Sequence, residues 1–358
     1  MLTINDSYPD LVIPAYFRVK ESAGEWRIIH VDYESAIDSL LDEGHGTANS
    51  ETACPDGANG TRRVQGRGDY PVARIKSSTG KESEVIVRVY RRGGLAGLVL
   101  PDIFNDARRP LNELVLTEKG RAGGVPLPEI LGLQIKWVLP FFYRAKIVVK
   151  KIPDAVTLEE TIFSLAKENE HRQDSFMLSQ KCHCEERSDE AILPVRETEI
   201  APLPSIARND RMGPVLYLKK INLIASLVKA IRQLHNAGMN HRDLNIRNIL
   251  IKQSGIDFTA YIIDLDKSAY ELSKTGLSLD KRIDNLIRLN RSLDKMLFKT
   301  GSSLKVVISH TDRLRLFELY FQGEGSNRAQ KQVIINKCLQ QAGLHKWWWK
   351  LIYPRLFI

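Results

Sequence analysis

The sequence predicts an α+β protein of two lobes, the first rich in strands and the second in helices. Two observations carry this reading. The spacing of apolar residues changes from alternation to a helical period along the chain, and the change falls at a proline-containing break, Lys150 to Asp154. The first lobe is expected over 66–153 and the second over 154–358, with 1–65 as an N-terminal segment carrying a flexible loop.

Glu43 to Gly68 is rich in Gly, Asn, Thr and Ser, a composition that disfavours regular structure. Tyr70 to Lys76 and Glu84 to Tyr90 are β-branched runs separated by Ser77-Ser78-Thr79-Gly80-Lys81, which predicts an antiparallel hairpin. Arg109 to Arg121 reads as a helix, and Pro126 to Val149 as two more strands. In the second lobe, Ile221, Ile224, Leu227, Val228, Ile231 and Leu234 keep a helical period that Gly238 is placed to cap. In Asp280 to Lys299, Ile283, Leu286, Leu293 and Leu297 share one side while Arg288, Arg291 and Lys295 recur on another. Lys181 to Arg211 has no sustained period and resembles the peptide encoded when a bacterial palindromic repeat inserts in frame, so it is expected to be a surface insertion without a catalytic role.

A chain of 358 residues with 43% hydrophobic and 27% charged content has the balance of a globular protein rather than a disordered one. No stretch approaches the roughly 20 apolar residues of a spanning helix, and the acidic N-terminus lacks the pattern of a secretory signal, so a cytoplasmic address is expected. Four cysteines without regular spacing make no disulfide framework. A formal charge of +9 points to an anionic partner.

The chemistry is concentrated in HRDLNIRNIL, His241 to Leu250, and YIIDLDKS, Tyr261 to Ser268. Phosphoryl transfer needs one carboxylate at the acceptor hydroxyl and oxygen ligands for a divalent metal. Asp243 is the candidate proton acceptor, Asn248 on the same loop and Asp264 at the end of an apolar strand are candidate Mg2+ ligands, and ATP is the expected donor. Arg88 on the second hairpin strand is the candidate contact to the nucleotide phosphates, with Glu113 on the following helix as its ion-pair partner. Protein kinases use lysine at the position of Arg88, so the reach of that contact differs here. Gly66 and Gly68 are candidates for a phosphate-covering loop, and Arg91 and Arg92 for an anion contact after the strand.

These strings resemble the lipopolysaccharide kinase family, and within it the 3-deoxy-D-manno-octulosonic acid (Kdo) kinases. GRG at Gly66 to Gly68, VRVYRRGGLAG at Val87 to Gly97, GGVPLPEI at Gly123 to Ile130, HRDLNIRNIL, IIDLDK and NLIRLNRSLDK at Asn285 to Lys295 carry the resemblance. It implies a bilobal protein-kinase-like fold and transfer of the ATP γ-phosphate to a Kdo hydroxyl of the lipid A precursor. It also implies work at the cytoplasmic face of the inner membrane, and an anionic membrane surface rather than nucleic acid as partner. Arginine at position 88 is then ordinary. Asn245, where protein kinases place a lysine, favours a small-molecule acceptor, and Arg288 and Arg291 are candidates to hold the acceptor's acidic groups. The C-terminal WWWKLIYPRLFI has a composition suited equally to the membrane interface and to docking on the core. Two other readings stay open: an aminoglycoside-like phosphotransferase, and an inactive kinase-fold binding module.

Overall fold

In the computed structural model the described residues are 4–22, 24–42, 63–64, 70–91, 102–185, 213–271, 276–300 and 308–322. The chain divides into two compact units. The first takes in 1–153 together with 233–243 and 261–278, and the second takes in 154–232, 244–260 and 279–358.

The first unit is built on a seven-stranded antiparallel sheet. Its strands are β1 (Phe17–Ser22), β2 (Glu25–His30), β3 (Arg63–Val64), β4 (Tyr70–Lys76), β5 (Glu82–Val89), β6 (Ile130–Leu139) and β7 (Phe142–Lys150), in spatial order β1-β2-β6-β7-β5-β4-β3. Alternation sends neighbouring residues to opposite faces. Ile29, Val85, Val87, Leu131 and Val148 pack with Ile37, Leu40 and Leu41 of helix α2 (Glu34–Asp42). Ile28, Leu133, Ile135 and Ile147 pack with Leu111 and Leu114 of helix α3 (Arg108–Ala122). A short helix, α1 (Ile4–Ser7), adds Ile4 to the second cluster. Gly132 permits the close approach of α2, since a Cβ there would stand 2.6 Å from the Ile37 side chain.

The expected hairpin, helix and two following strands are all present. The strands and helix formed by residues 17–42, in contrast, are elements that the sequence reading of 1–65 as an N-terminal segment carrying a flexible loop does not name. Each β1 and β2 run is only six residues, and both gain their order from pairing β2 with β6, a partner about a hundred residues away.

The second unit contains a three-stranded sheet of β8 (Ala155–Thr157), β10 (Ile249–Ser254) and β11 (Asp257–Ile262), in order β11-β10-β8. Its helices are α4 (Leu158–Glu185), α5 (Pro214–Asn236), α6 (Leu279–Thr300) and α7 (His310–Phe321). α5 runs on into the first unit, where β9 (Met239–Asn240) pairs with β12 (Ala269–Tyr270). Helix α4 continues through Glu185, so the start of the segment expected as a loop is helical, and 186–211 lie outside the described residues. Among the described residues no helix is long and apolar enough to cross a membrane. The α+β class, with a strand-rich first part and a helical second part, is as expected from the sequence.

Candidate active site

Helix α5 ends at Asn236, and in the turn that follows Gly238 has a φ of +77°, open to glycine at little cost, and its Cβ, if present, would stand 2.6 Å from the Glu271 carbonyl oxygen. The chain then turns through β9 into His241-Arg242-Asp243. His241 is buried, and burial holds its pKa below the ordinary imidazole value. Its Nε2 lies 3.0 Å from the Ile263 carbonyl, and its Nδ1 lies 3.3 Å from the Asp243 amide. A carbonyl only accepts and an amide only donates, so the neutral ring carries its proton on Nε2. The histidine thus clamps the Asp243 backbone to the strand end that carries Asp264. Lys267 Nζ donates to Asp243 Oδ2 at 3.1 Å.

Arg88 projects from β5 on the face that α3 covers, because Val85 and Val87 occupy the other. Its guanidinium donates to Glu113 Oε1 and, at 2.9 Å, to Asp264 Oδ1. Tyr90 Oη donates to Glu113 Oε2. Burial works against the Arg88 charge, yet the fields of Glu113 and Asp264 outweigh it and raise its pKa further above the ordinary value. Burial pushes the Glu113 carboxyl up, with Arg88 opposing. The Tyr90 phenol is pushed up by burial and then by Glu113. The sequence-based pairing of Arg88 with Glu113 is therefore realised, and Asp264 is brought to the same guanidinium.

Asp264 has a φ of 67°, the left-handed region that aspartate enters more readily than most residues. Among the described residues its Oδ2 has no hydrogen-bond donor. Two residues on, Asp266 is buried and receives Arg109 of α3 at 2.7 Å from Nε. Asn112 of α3 donates to the Ser268 carbonyl at 3.0 Å. Helix α3 is thus tied to the segment after Asp264 at two successive turns.

A cavity of about 830 Å3 opens along this outer side of α3. Five cationic residues line it, Arg108, Arg109, Lys119, Arg242 and Lys267, against the carboxylates of Asp10, Asp106 and Asp266. Lys119 Nζ stands 3.3 Å above the Tyr270 ring, and among the described residues it has no carboxylate partner. The Ser268 hydroxyl, also on the lining, is buried without a hydrogen-bond partner among the described residues. An anion is the ligand such a lining favours.

Asn245 and Asn248 belong to the second unit, where Asn245 accepts from the Arg247 amide at 2.9 Å and the Asn248 amide donates to the Asn245 carbonyl at 3.0 Å. That turn is held by the Ile246 amide on Ser292 Oγ of α6 at 3.1 Å and by a two-bond contact of Arg247 with Glu159 of α4. Arg288 is exposed and Arg291 partly exposed on α6, where burial and then Arg288 lower the Arg291 pKa. Arg91 is exposed just after β5. Gly66, Gly68, Arg92 and the tryptophan-rich C-terminus lie outside the described residues. Sequence reasoning missed His241, Tyr90, Lys267, Lys119 and the Arg109–Asp266 pair. Tyr90, His241, Asp266 and Lys267 sit inside strings already singled out, VRVYRRGGLAG, HRDLNIRNIL and IIDLDK, but nothing local in them specifies a partner across the fold.

Residues 217–320 match the family model described as "Lipopolysaccharide kinase (Kdo/WaaP) family". A 3-deoxy-D-manno-octulosonic acid kinase of Vibrio cholerae serotype O1 is 25% identical over 225 residues, 62% of this chain and 70% of that protein. A protein of the same name from Pasteurella multocida is 25% identical over 253 residues, 70% of this chain and 79% of that protein. Among solved structures, "WaaP in complex with acyl carrier protein" aligns over 84% of this chain and 90% of that one, at 16% identity and a TM-score of 0.41.

Proposed function

We propose that this chain, a phosphotransferase with an alcohol group as acceptor and similar to the lipopolysaccharide kinases, moves the γ-phosphate of ATP to a hydroxyl of Kdo on the lipid A precursor. The observation that carries the reading is one guanidinium, Arg88, bridging Glu113 and Asp264, with Asp243 clamped to the same strand end by His241. In this assignment Asp243 accepts the proton of the acceptor hydroxyl. Arg88 meets the nucleotide phosphates, and Glu113 with Tyr90 holds it in place. Asp264 supplies a hard oxygen ligand for Mg2+, and its Oδ2 suits that role. The sequence assigns Asn248 the further amide oxygen, and Gly66 and Gly68 the cover over the phosphates. A bound Mg2+ would neutralise charge on the phosphate oxygens.

The acidic sugar as acceptor is supported by the cation-lined cavity, whose Lys267 also donates to Asp243, and by the curated relatives that carry the Kdo kinase name. Arg91, Arg92, Asn245, Arg288 and Arg291 are assigned to the acceptor on the sequence alone. The acceptor is a lipid, so the reading places the protein peripherally on the cytoplasmic face of the inner membrane.

Mass spectrometry of Kdo-bearing lipid A precursor, incubated with the protein and MgATP, tests the reaction. The expected product carries one added phosphate, and the Asp243→Asn protein yields none above background while still binding nucleotide. Phosphate transfer to an aminoglycoside but not to the lipid would overturn the acceptor, and ATP binding without transfer to any alcohol would favour a binding module.

A further inference from the structure

The β6–β7 hairpin ends in an apolar tip that the core does not use. Phe141 is 77% exposed and Leu139 58%, and Val138 and Phe142 beside them are exposed too. Large side chains left bare at one spot mark a surface that meets something. The tip is also rigid. Just behind it Trp137 packs edge-on against Tyr143 at 5.6 Å and against Trp26 at 5.5 Å, and Tyr143 Oη donates to the Asp106 carbonyl at 2.5 Å.

Charge follows the apolar tip in order. Lys136 and Arg144 face each other across the two strands, both exposed, one step behind the Trp137–Tyr143 pair. Arg144 shares its charge with Asp102 at 2.9 Å, while Lys136 stands across from Glu25 in register and makes no ion pair at contact distance among the described residues. From Phe141 to Arg144 is three residues of strand, about 10 Å. Interfacial segments bury their apolar face roughly 5–10 Å below the headgroups, so with the tip in the acyl boundary both cations would stand at the level of lipid phosphates. Pro140 at the turn also brings no N–H group to be stripped of water.

We infer that the β6–β7 hairpin is a membrane-docking element, its Leu139–Phe142 tip entering the interface of an anionic bilayer with Lys136 and Arg144 on the headgroups. This deepens the peripheral location proposed above by naming the element responsible, and vesicle binding is read without turnover, so its failure and that of the kinase reading are distinguishable. The occupant is a lipid surface rather than a protein groove, because the tip is a narrow apolar wedge backed by cations.

The test is co-sedimentation of the full chain with vesicles of phosphatidylcholine alone and of phosphatidylcholine mixed with phosphatidylglycerol. Binding is expected on the mixed vesicles and much less on the neutral ones. The double change Leu139→Ser with Phe141→Ser should lower the partition coefficient about tenfold or more, with the circular dichroism melt unchanged. Lys136→Gln should lower it roughly fivefold on the anionic vesicles only. Phe141→Trp should report a blue-shifted emission quenched by brominated lipid. The proposal is overturned if the intact chain ignores both vesicles, if the double-serine protein binds as well as the parent, or if the new tryptophan stays unquenched. A chain that self-associates through this tip, with the double-serine change abolishing a dimer rather than vesicle binding, would assign the surface to a second copy instead.

Discussion

Arg88 and Arg27 hold the same kind of partner in the same sheet, and they hold it to different ends. The two arginine side chains are covered almost equally, at 21% and 18% exposed. Their acids are not. Glu113 beside Arg88 is 6% exposed, whereas Asp42 beside Arg27 is 62% exposed. The consequence is a reversal of sign at the carboxyl. Burial pushes Glu113 above its ordinary value, while the hydrogen bond from Arg27 holds Asp42 below its own. Water at the acid, not at the arginine, decides which pair is a surface tie and which is a site where charge is kept short of solvent. Only the second kind leaves a guanidinium poised to improve its interactions when an anionic phosphate arrives.

The largest effect should come from Asp264→Ala, which removes one of the acids of the Arg88 network and the proposed metal ligand. Turnover is expected to fall by about a thousandfold, the scale of several kcal/mol of charge stabilisation, while stability changes little because Arg88 keeps Glu113. Steady-state kinetics beside urea denaturation would check both halves. An active Asp264→Ala protein would reduce the network to a structural one.

Next in size is Glu113→Ala, which strands Arg88 and the Tyr90 hydroxyl. Breaking a buried pair from one side costs about 3–5 kcal/mol, and the urea midpoint should drop accordingly. A midpoint equal to that of the parent would show that water reaches this acid after all, erasing the contrast with Asp42.

The two networks should also respond to pH with opposite slopes. Glu113 has a folded pKa above its ordinary value of 4.5, so between 4.5 and that folded value the native state binds more protons than the unfolded one. Its contribution to stability therefore falls as pH rises through that window. Asp42 and Glu34, lowered by hydrogen bonds from Arg27 and Lys20, contribute above their ordinary values of 3.8 and 4.5 and lose it as pH falls. In Glu113→Gln the first trend is gone, and melting temperature should climb more steeply with pH above 4.5 than in the parent. Parallel curves would mean that Glu113 titrates at its ordinary value.

The smallest effect belongs to Asp42→Asn, since its arginine keeps Glu25 and Asp38. No shift of the urea midpoint beyond replicate scatter is expected, and a large one would place the surface network on a par with the buried one.

Much of this was legible along the chain. The 70–90 hairpin, the helix over 109–121 and the helix over 280–299 follow from local period, and the structure places them over 70–89, 108–122 and 279–300. Arg88 and Glu113 were expected to pair from their places on a strand and the next helix, and they do. The β1–β2 hairpin was not legible, because two six-residue strands with interleaved charge carry little local preference until β6 supplies a partner. The α4 helix runs into a segment whose composition reads as a loop, and no local rule extends it through Glu185.

By itself the sequence determined the chemical vocabulary of this protein: an acid after His241-Arg242, an acid at the end of an apolar strand, and a cation on the strand before a helix. Those are choices of residue type at fixed spacing, which short-range geometry is enough to interpret. Only the tertiary structure decided that Arg88 meets Asp264 176 residues away, that Arg109 meets Asp266 157 residues away, and that Lys119 faces Tyr270. Such pairs are set by how the sheet and α3 share a core and by which groups that packing strips of water, and no local spacing encodes either.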